Sequence, residues 1–153
     1  MSSVTPIPSN AYSYWVEIAE LAQSELVIFT PYFDEIILEI FESSSLSNHR
    51  KSLVTQLDWR NDSRQGINQK ALMDIIISRG IDVRVLPRLH AKAIVSDWDR
   101  AIVGSQNFTY YSQDSLEISF LLDRFAEGAD LDEVFQTMNE WWEMAGDDEE
   151  HEE

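Results

Sequence analysis

Short runs that are apolar on both sides alternate along this chain with stretches whose apolar residues recur at helical spacing, and that alternation points to an α/β layered domain. Ser9 is placed to cap a first helix reaching about Ser24, with Ala11, Trp15, Ile18, Leu21 and Ala22 on one face. Residues 25–30 form a buried strand that Pro31 stops. A second helix over 34–42 carries Ile36, Ile37, Ile40 and Phe41, and 53–58 is a weaker strand. The helix over 68–79 turns Leu72, Ile75 and Ile76 inward and ends with Gly80 as its C′ residue. Residues 81–86 then form a strand ended by Pro87, and two strands over 89–96 and 101–104 are joined by a tight turn at 97–100. A buried strand over 116–122 and a last helix over 130–144, with Phe135, Met138, Trp141 and Trp142 along one side, complete the pattern.

The 153 residues, 44% of them apolar, suffice for one domain with a real core. No internal repeat is present, so the chain holds one copy of whatever its motifs build. That domain is expected over 1–145, and 146–153, which hold six acids and no base, are expected to be a disordered acidic tail. The absence of cysteine excludes disulfides, thiolate nucleophiles and cysteine-ligated metals together. Histidines at 49, 90 and 151 are too scattered for a histidine-rich metal site, although carboxylates are plentiful enough for magnesium. The N-terminal residues lack the basic and apolar regions of a secretory signal, and no apolar stretch nears the ~20 residues of a membrane span. A soluble, cytoplasmic protein without membrane association is therefore expected. The formal charge of −17, from 28 acids against 11 bases, opposes a generally basic nucleic-acid surface and an anionic membrane alike.

One stretch carries chemistry. On a strand, alternation sets His90, Lys92 and Ile94 on one face and Ala91 and Ala93 on the other. After the turn the chain returns antiparallel to Gly104, Ser105 and Asn107, where small residues permit close approach of a ligand to the backbone. An imidazole, a cation, a hydroxyl and a carboxamide would then converge, a set suited to phosphate: Lys92 for charge, Ser105 and Asn107 for hydrogen bonds, His90 as a nucleophile toward phosphorus.

The spacing His90-x-Lys92-x4-Asp97-x6-Gly104-Ser105-x-Asn107 resembles the signature of the phospholipase D superfamily at every fixed position. Chance would produce it on the order of once in 10⁵ chains of this length, or more rarely. The strand at 26–30 followed by Pro31 and Tyr32, and the one after Gly80, are similar to the family's first strand and to the strand before its motif. The resemblance implies an α-β-α sandwich around a mixed sheet, and a mechanism without metal or other cofactor. It also implies a role for Glu117 as the acid that hydrogen-bonds the second ring nitrogen of the nucleophile. Ser115 stands where relatives commonly carry Asn. The family's mechanism uses two motif copies, one histidine attacking and the other protonating the leaving oxygen and then activating water. A chain with one copy is thereby expected to form a homodimer.

Asp97 is expected to support the site through local hydrogen bonds. Trp59, Arg60 and Arg64 form a small basic and aromatic cluster, either a nucleic-acid contact or an ordinary solvated loop. Trp141 and Trp142 are assigned to core and dimer packing, and Arg88 is a weak phosphate candidate. Three functions follow from the resemblance. They are a nuclease cutting DNA or RNA through a phosphohistidine on His90, a phospholipase or phosphatidyl transferase, and a non-catalytic module within a larger complex with a partner protein. The short single-motif form and the lack of room for the extra elements of the lipid enzymes favour the first.

Overall fold

The computed structural model describes residues 2–56 and 63–146, with the backbone alone for 63–68. Its strands are β1 (Val4–Ile7), β2 (Leu26–Phe29), β3 (Lys51–Thr55), β4 (Asp82–Val85), β5 (Lys92–Ser96), β6 (Arg100–Gly104) and β7 (Ser119–Asp123). Four helices accompany them: α1 (Tyr12–Leu21), α2 (Ile36–Ser43), α3 (Ser63–Ser78) and α4 (Asp132–Met144). The seven strands make one mixed sheet in the order β1-β7-β6-β5-β2-β3-β4. β2, β3 and β4 are parallel and linked through α2 and α3, whereas β5, β6, β7 and β1 are antiparallel. All four residues of β2 and all five of β3 are buried, as central strands covered on both faces require.

Helices lie on both sides. Trp15 and Ile18 of α1, Ile37 and Ile40 of α2, and Leu72 and Ile76 of α3 pack with Ile28, Ile94 and Ile102 from one face of the sheet. Phe135 and Met138 of α4 pack with Val27, Phe29, Ala93 and Val95 from the other. Both tryptophans near the end of α4 pack against this second core, and the Arg84 guanidinium covers the Trp142 ring at 3.9 Å.

Helix ends show where local chemistry decides. Gly80 takes φ 89°, its N–H reaching Ile77 O while Ile81 N–H reaches Ile76 O, the Schellman arrangement expected at that glycine. Ser9 is not the cap of α1. Ala11 holds that position, and the Asn10 carboxamide oxygen accepts the Tyr12 N–H instead. α3 begins five residues before the periodicity does, at Ser63. β1 is absent from the sequence expectations because Pro6 breaks its pattern, yet a proline is tolerated on an edge strand, where β1 lies. Gly146, expected in the tail, exchanges two backbone hydrogen bonds with Val85, so the fold reaches at least that residue. Residues 147–153 lie outside the described residues.

The β5–β6 hairpin turns through Asp97 and Trp98, both at positive φ (57° and 55°), with Asp99 N–H bonded to Ser96 O. Positive φ at both central residues matches the twist of the flanking strands, and aspartate tolerates it. The Asp97 carboxylate accepts N–H bonds from Gln23, Ser24 and Glu25, fastening the hairpin to the chain entering β2. Asp97→Ala removes this acceptor and is expected to cost about 2–3 kcal/mol. In a domain this size that lowers the melting temperature by about 5–10 °C. Asp97→Asn, which keeps an oxygen and the turn preference, should lose less. An unchanged melting temperature for Asp97→Ala would show that the clasp contributes nothing.

Candidate phosphate site

The motif residues gather at the sheet end where β2 and β6 finish and β5 and β7 begin, a common place for ligands in open α/β sheets. His90 precedes β5 and is not on a strand, contrary to the alternation argument. It is delivered by a tight turn in which Leu89 N–H bonds Leu86 O, with Pro87 second and Arg88 third at φ 69°. A proline followed by a positive φ is the type II arrangement, which normally favours glycine third. An arginine there carries strain of order 1 kcal/mol. Despite the break in the strand, His90 and Lys92 share the same space: the Lys92 ammonium stands 3.4 Å from His90 Nδ1. Donation by the ammonium in this contact requires the tautomer whose Nδ1 is unprotonated.

Lys92 pairs with Gly104 across the hairpin, and Gly104 with Ser119 of β7. A Cβ on Gly104 would lie 2.5 Å from Ile118 O and 2.6 Å from Ser119 Cα. Close approach does require this glycine, but the approaching group is the β7 backbone and not a ligand. Ser105 follows at the exposed end of the ladder. Its N–H donates to Ile118 O, and its Oγ accepts from Ile118 N–H and stands 3.4 Å from Glu117 Oε1.

Glu117 therefore engages Ser105, and no hydrogen bond joins it to His90. It sits ahead of β7, which starts at Ser119 and not at 116 as expected. Leu116 is fully exposed, so the apolar run that suggested a longer buried strand is partly surface. Glu117 still acts on the site through charge. Burial pushes the Lys92 ammonium below the usual lysine range, and the nearby Glu117 carboxylate opposes that shift.

Carrying the register two residues past Lys92 and Gly104 sets His90 level with Gln106, between Ser105 and Asn107. The Asn107 carboxamide oxygen is buried without a hydrogen-bond partner, a state that costs ~1–3 kcal/mol until a donor meets it. Gln106, the variable position of the motif, is a residue that sequence reasoning missed. Its buried carboxamide accepts the Ala11 N–H and donates to Asn10 Oδ1 and Ser112 Oγ, tying the start of α1 to the loop bearing Asn107. Phe108 then stacks on Trp15 at 4.2 Å. No spacing rule would have singled out that glutamine.

Asp97 stands apart from this group, since β5 separates it from Lys92 by about 13 Å or more at ~3.3 Å per residue. Trp59 and Arg60 lie outside the described residues, and Arg64 falls in the first turn of α3. Arg88 is exposed two residues before His90. Beside Ser105 and Glu117 opens a groove of about 570 Å³ that also reaches Asn10, Gln113 and Ser115. Among the described residues no cluster of three His, Cys, Asp or Glu side chains is arranged to hold a metal, and no helix is long and apolar enough to cross a membrane.

The family model described as "Cardiolipin synthase, PLD-like domain" matches residues 16–141. The chain belongs to the phospholipase D superfamily. Among solved structures, the phospholipase D family member Nuc from Salmonella typhimurium superposes with a TM-score of 0.66 at 17% identity, over 93% of each chain. NucT from Helicobacter pylori gives 0.64 at 12% identity, over 94% of this chain and 96% of that one. Phosphatidylserine synthase from Haemophilus influenzae gives 0.68 at 17% identity, over 92% of this chain but 38% of that one. At such identities the likeness establishes the fold alone. No curated protein sequence matches this chain.

Because the Lys92 pKa is lowered, its charge is lost at lower pH than that of an ordinary lysine. Anion binding should then decline on the alkaline side earlier than an exposed lysine would allow. Glu117→Gln removes the opposing charge, so the Lys92 titration, followed by NMR at its side-chain nitrogen, should move to still lower pH. A titration that stays put, or moves up, would show that Glu117 does not act on Lys92.

Proposed function

We propose that this chain is a metal-independent phosphodiesterase that cuts DNA or RNA through a phosphohistidine formed on His90, with His90 of a second copy as general acid and base. The observation that carries the proposal is the exposed imidazole of His90 held 3.4 Å from the Lys92 ammonium at the end of the sheet. A phosphodiester entering there draws Lys92 onto a non-bridging oxygen and frees the Nδ1 lone pair. The new bond joins that nitrogen to phosphorus, and the bond from phosphorus to the leaving oxygen breaks. The second copy's imidazole gives that oxygen a proton, then removes one from a water whose oxygen attacks phosphorus and releases His90.

Ser105 and Asn107 supply further polar groups for the phosphate, and Glu117 positions Ser105. Nucleic acid as the substrate is supported by Tyr111, 84% exposed four residues beyond Asn107, a ring on which a base can stack. The grip on the backbone has to be local, around Lys92, because the chain as a whole carries −17. A second reading, a non-catalytic binding module, draws support from the missing bond between Glu117 and His90, which leaves the nucleophile without its expected orienting acid.

The deciding measurement is cleavage of single- and double-stranded DNA and RNA in EDTA. His90→Ala should lower the rate by on the order of 10³-fold or more, and Lys92→Ala by on the order of 10²-fold. A folded His90→Ala protein that cuts as fast as the unaltered one rules out the nucleophile. Binding of nucleic acid by the unaltered protein with no turnover selects the non-catalytic module. Headgroup release from phosphatidylcholine vesicles in place of nucleic-acid cleavage points to a lipid substrate.

A further inference from the structure

Residues paired across neighbouring strands project to the same side of a sheet. The register therefore sends Lys92 and Ser119 to the side of Ile94 and Ile102, which α1 covers. The groove of about 570 Å³ that Ser105 and Glu117 border is also lined by Pro8, Ser9 and Asn10, the chain entering α1. Its size falls within the ~300–1,000 Å³ of small-ligand pockets. Its chemistry is unlike that of the phosphate site. Among the described residues, the ionisable groups lining it are the carboxylates of Asp114 and Glu117, which repel a phosphate. What suits the groove is an uncharged group. Ser105 borders both places, so that group is one joined directly to the phosphate at Lys92.

We propose that the groove takes the unpaired base of a nucleoside flanking that phosphate, which makes single-stranded nucleic acid the preferred substrate. The cleavage part rests on the phosphodiesterase reading, and the binding part on the groove. Two kinds of group in the lining select a base. Leu116 is fully exposed and Ile118 is 52% exposed, an apolar surface of the sort against which the flat face of a base packs. Gln113 offers an edge for hydrogen bonding: its carboxamide oxygen accepts the Asn10 amide at 3.2 Å, and its own amino group makes no hydrogen bond among the described residues. That amino group can donate to a carbonyl or ring nitrogen of a base. Asn10 is itself fixed, since its oxygen accepts the Tyr12 N–H and the Gln106 amide, so the Gln113 edge is presented from a rigid support. A base that lies against Leu116 and bonds Gln113 has left its own stack and its pairing partner, and a single strand gives it up at least cost.

The test compares three labelled substrates in EDTA: a single-stranded oligonucleotide, the same strand with stable abasic sugars in place of its nucleosides, and the oligonucleotide in a duplex. Each is made in DNA and again in RNA, and the better-bound sugar supplies the comparison. Cleavage rate and binding, by fluorescence anisotropy, are both read. The unaltered chain should favour the single strand over the abasic strand and over the duplex by about 10-fold or more. In Gln113→Ala/Leu116→Asp the ratio of single strand to abasic strand should fall close to one. A ratio is the readout because partial loss of folded protein lowers both rates alike. If the double variant fails to fold, Leu116→Asp alone, at a fully exposed position, makes the same comparison. An unaltered chain that treats the abasic strand as it treats the normal one overturns the proposal, and so does a variant that keeps the full ratio. A duplex handled as well as the single strand overturns the strand preference. Binding that shows the expected ratios, lost in the variant, with no cleavage of any substrate upholds the groove and removes the phosphodiesterase reading instead.

Discussion

The carboxylate of Asp97 collects three backbone N–H groups from residues 23, 24 and 25, and the register of the strand that carries Lys92 is fastened at that clasp. It fixes the tip of the β5–β6 hairpin against the entry to β2, and so helps set which residues of β5 face which residues of β2. With Leu26 opposite Ser96 and Phe29 opposite Ala93, the other end of β5 is placed as well. A slip of one residue would send Lys92 to the α4 side and Ala93 to the other. The charge that steadies the site thus acts from the far end of the strand, through register and not through contact.

At the near end, control passes from strands to loops. A turn with a strained arginine brings in His90, a glycine without room for a Cβ lets β7 close on β6, and a buried glutamine pins the loop bearing Asn107. The motif residues were legible because their spacing is improbable by chance, and the hairpin because Asp97 and its neighbours read as a turn. The α/β layering and the Gly80 helix end were legible for similarly local reasons. What periodicity could not give was the exit from regular structure. His90 lies beyond β5 because Pro87 and Arg88 form a turn of their own, and Glu117 lies before β7 because Leu116 and Ile118, though apolar, are surface residues. β1 escaped notice for the opposite reason: its pairing with β7 comes from the far end of the chain, and no local pattern announces a four-residue edge strand containing proline.

The acidity of the chain and the chemistry of its site coexist because they act over different distances. At physiological salt, exposed charges further apart than ~8 Å are largely screened. A phosphate beside Lys92 therefore senses that ammonium and the adjoining dipoles more than the distant carboxylates. Glu117 is close enough to matter, and it offsets part of the loss that burial imposes on the Lys92 charge. An acid at this distance weakens anion binding by direct repulsion while keeping the cation charged, two opposed effects from one residue.

Gly104 has a consequence for how such a motif persists. Its lack of a side chain serves the meeting of two strands, and Asp97 serves the fastening of a hairpin, whereas His90 and Lys92 have no comparable duty inside the fold. The six fixed positions thus superimpose two records, one of architecture and one of reactivity. In a lineage that gave up the reaction, selection on folding would go on preserving the first while the second eroded. A chain that retains the aspartate and glycine alone would keep the scaffold, and under the proposed function only one that also keeps the histidine and lysine would keep the chemistry.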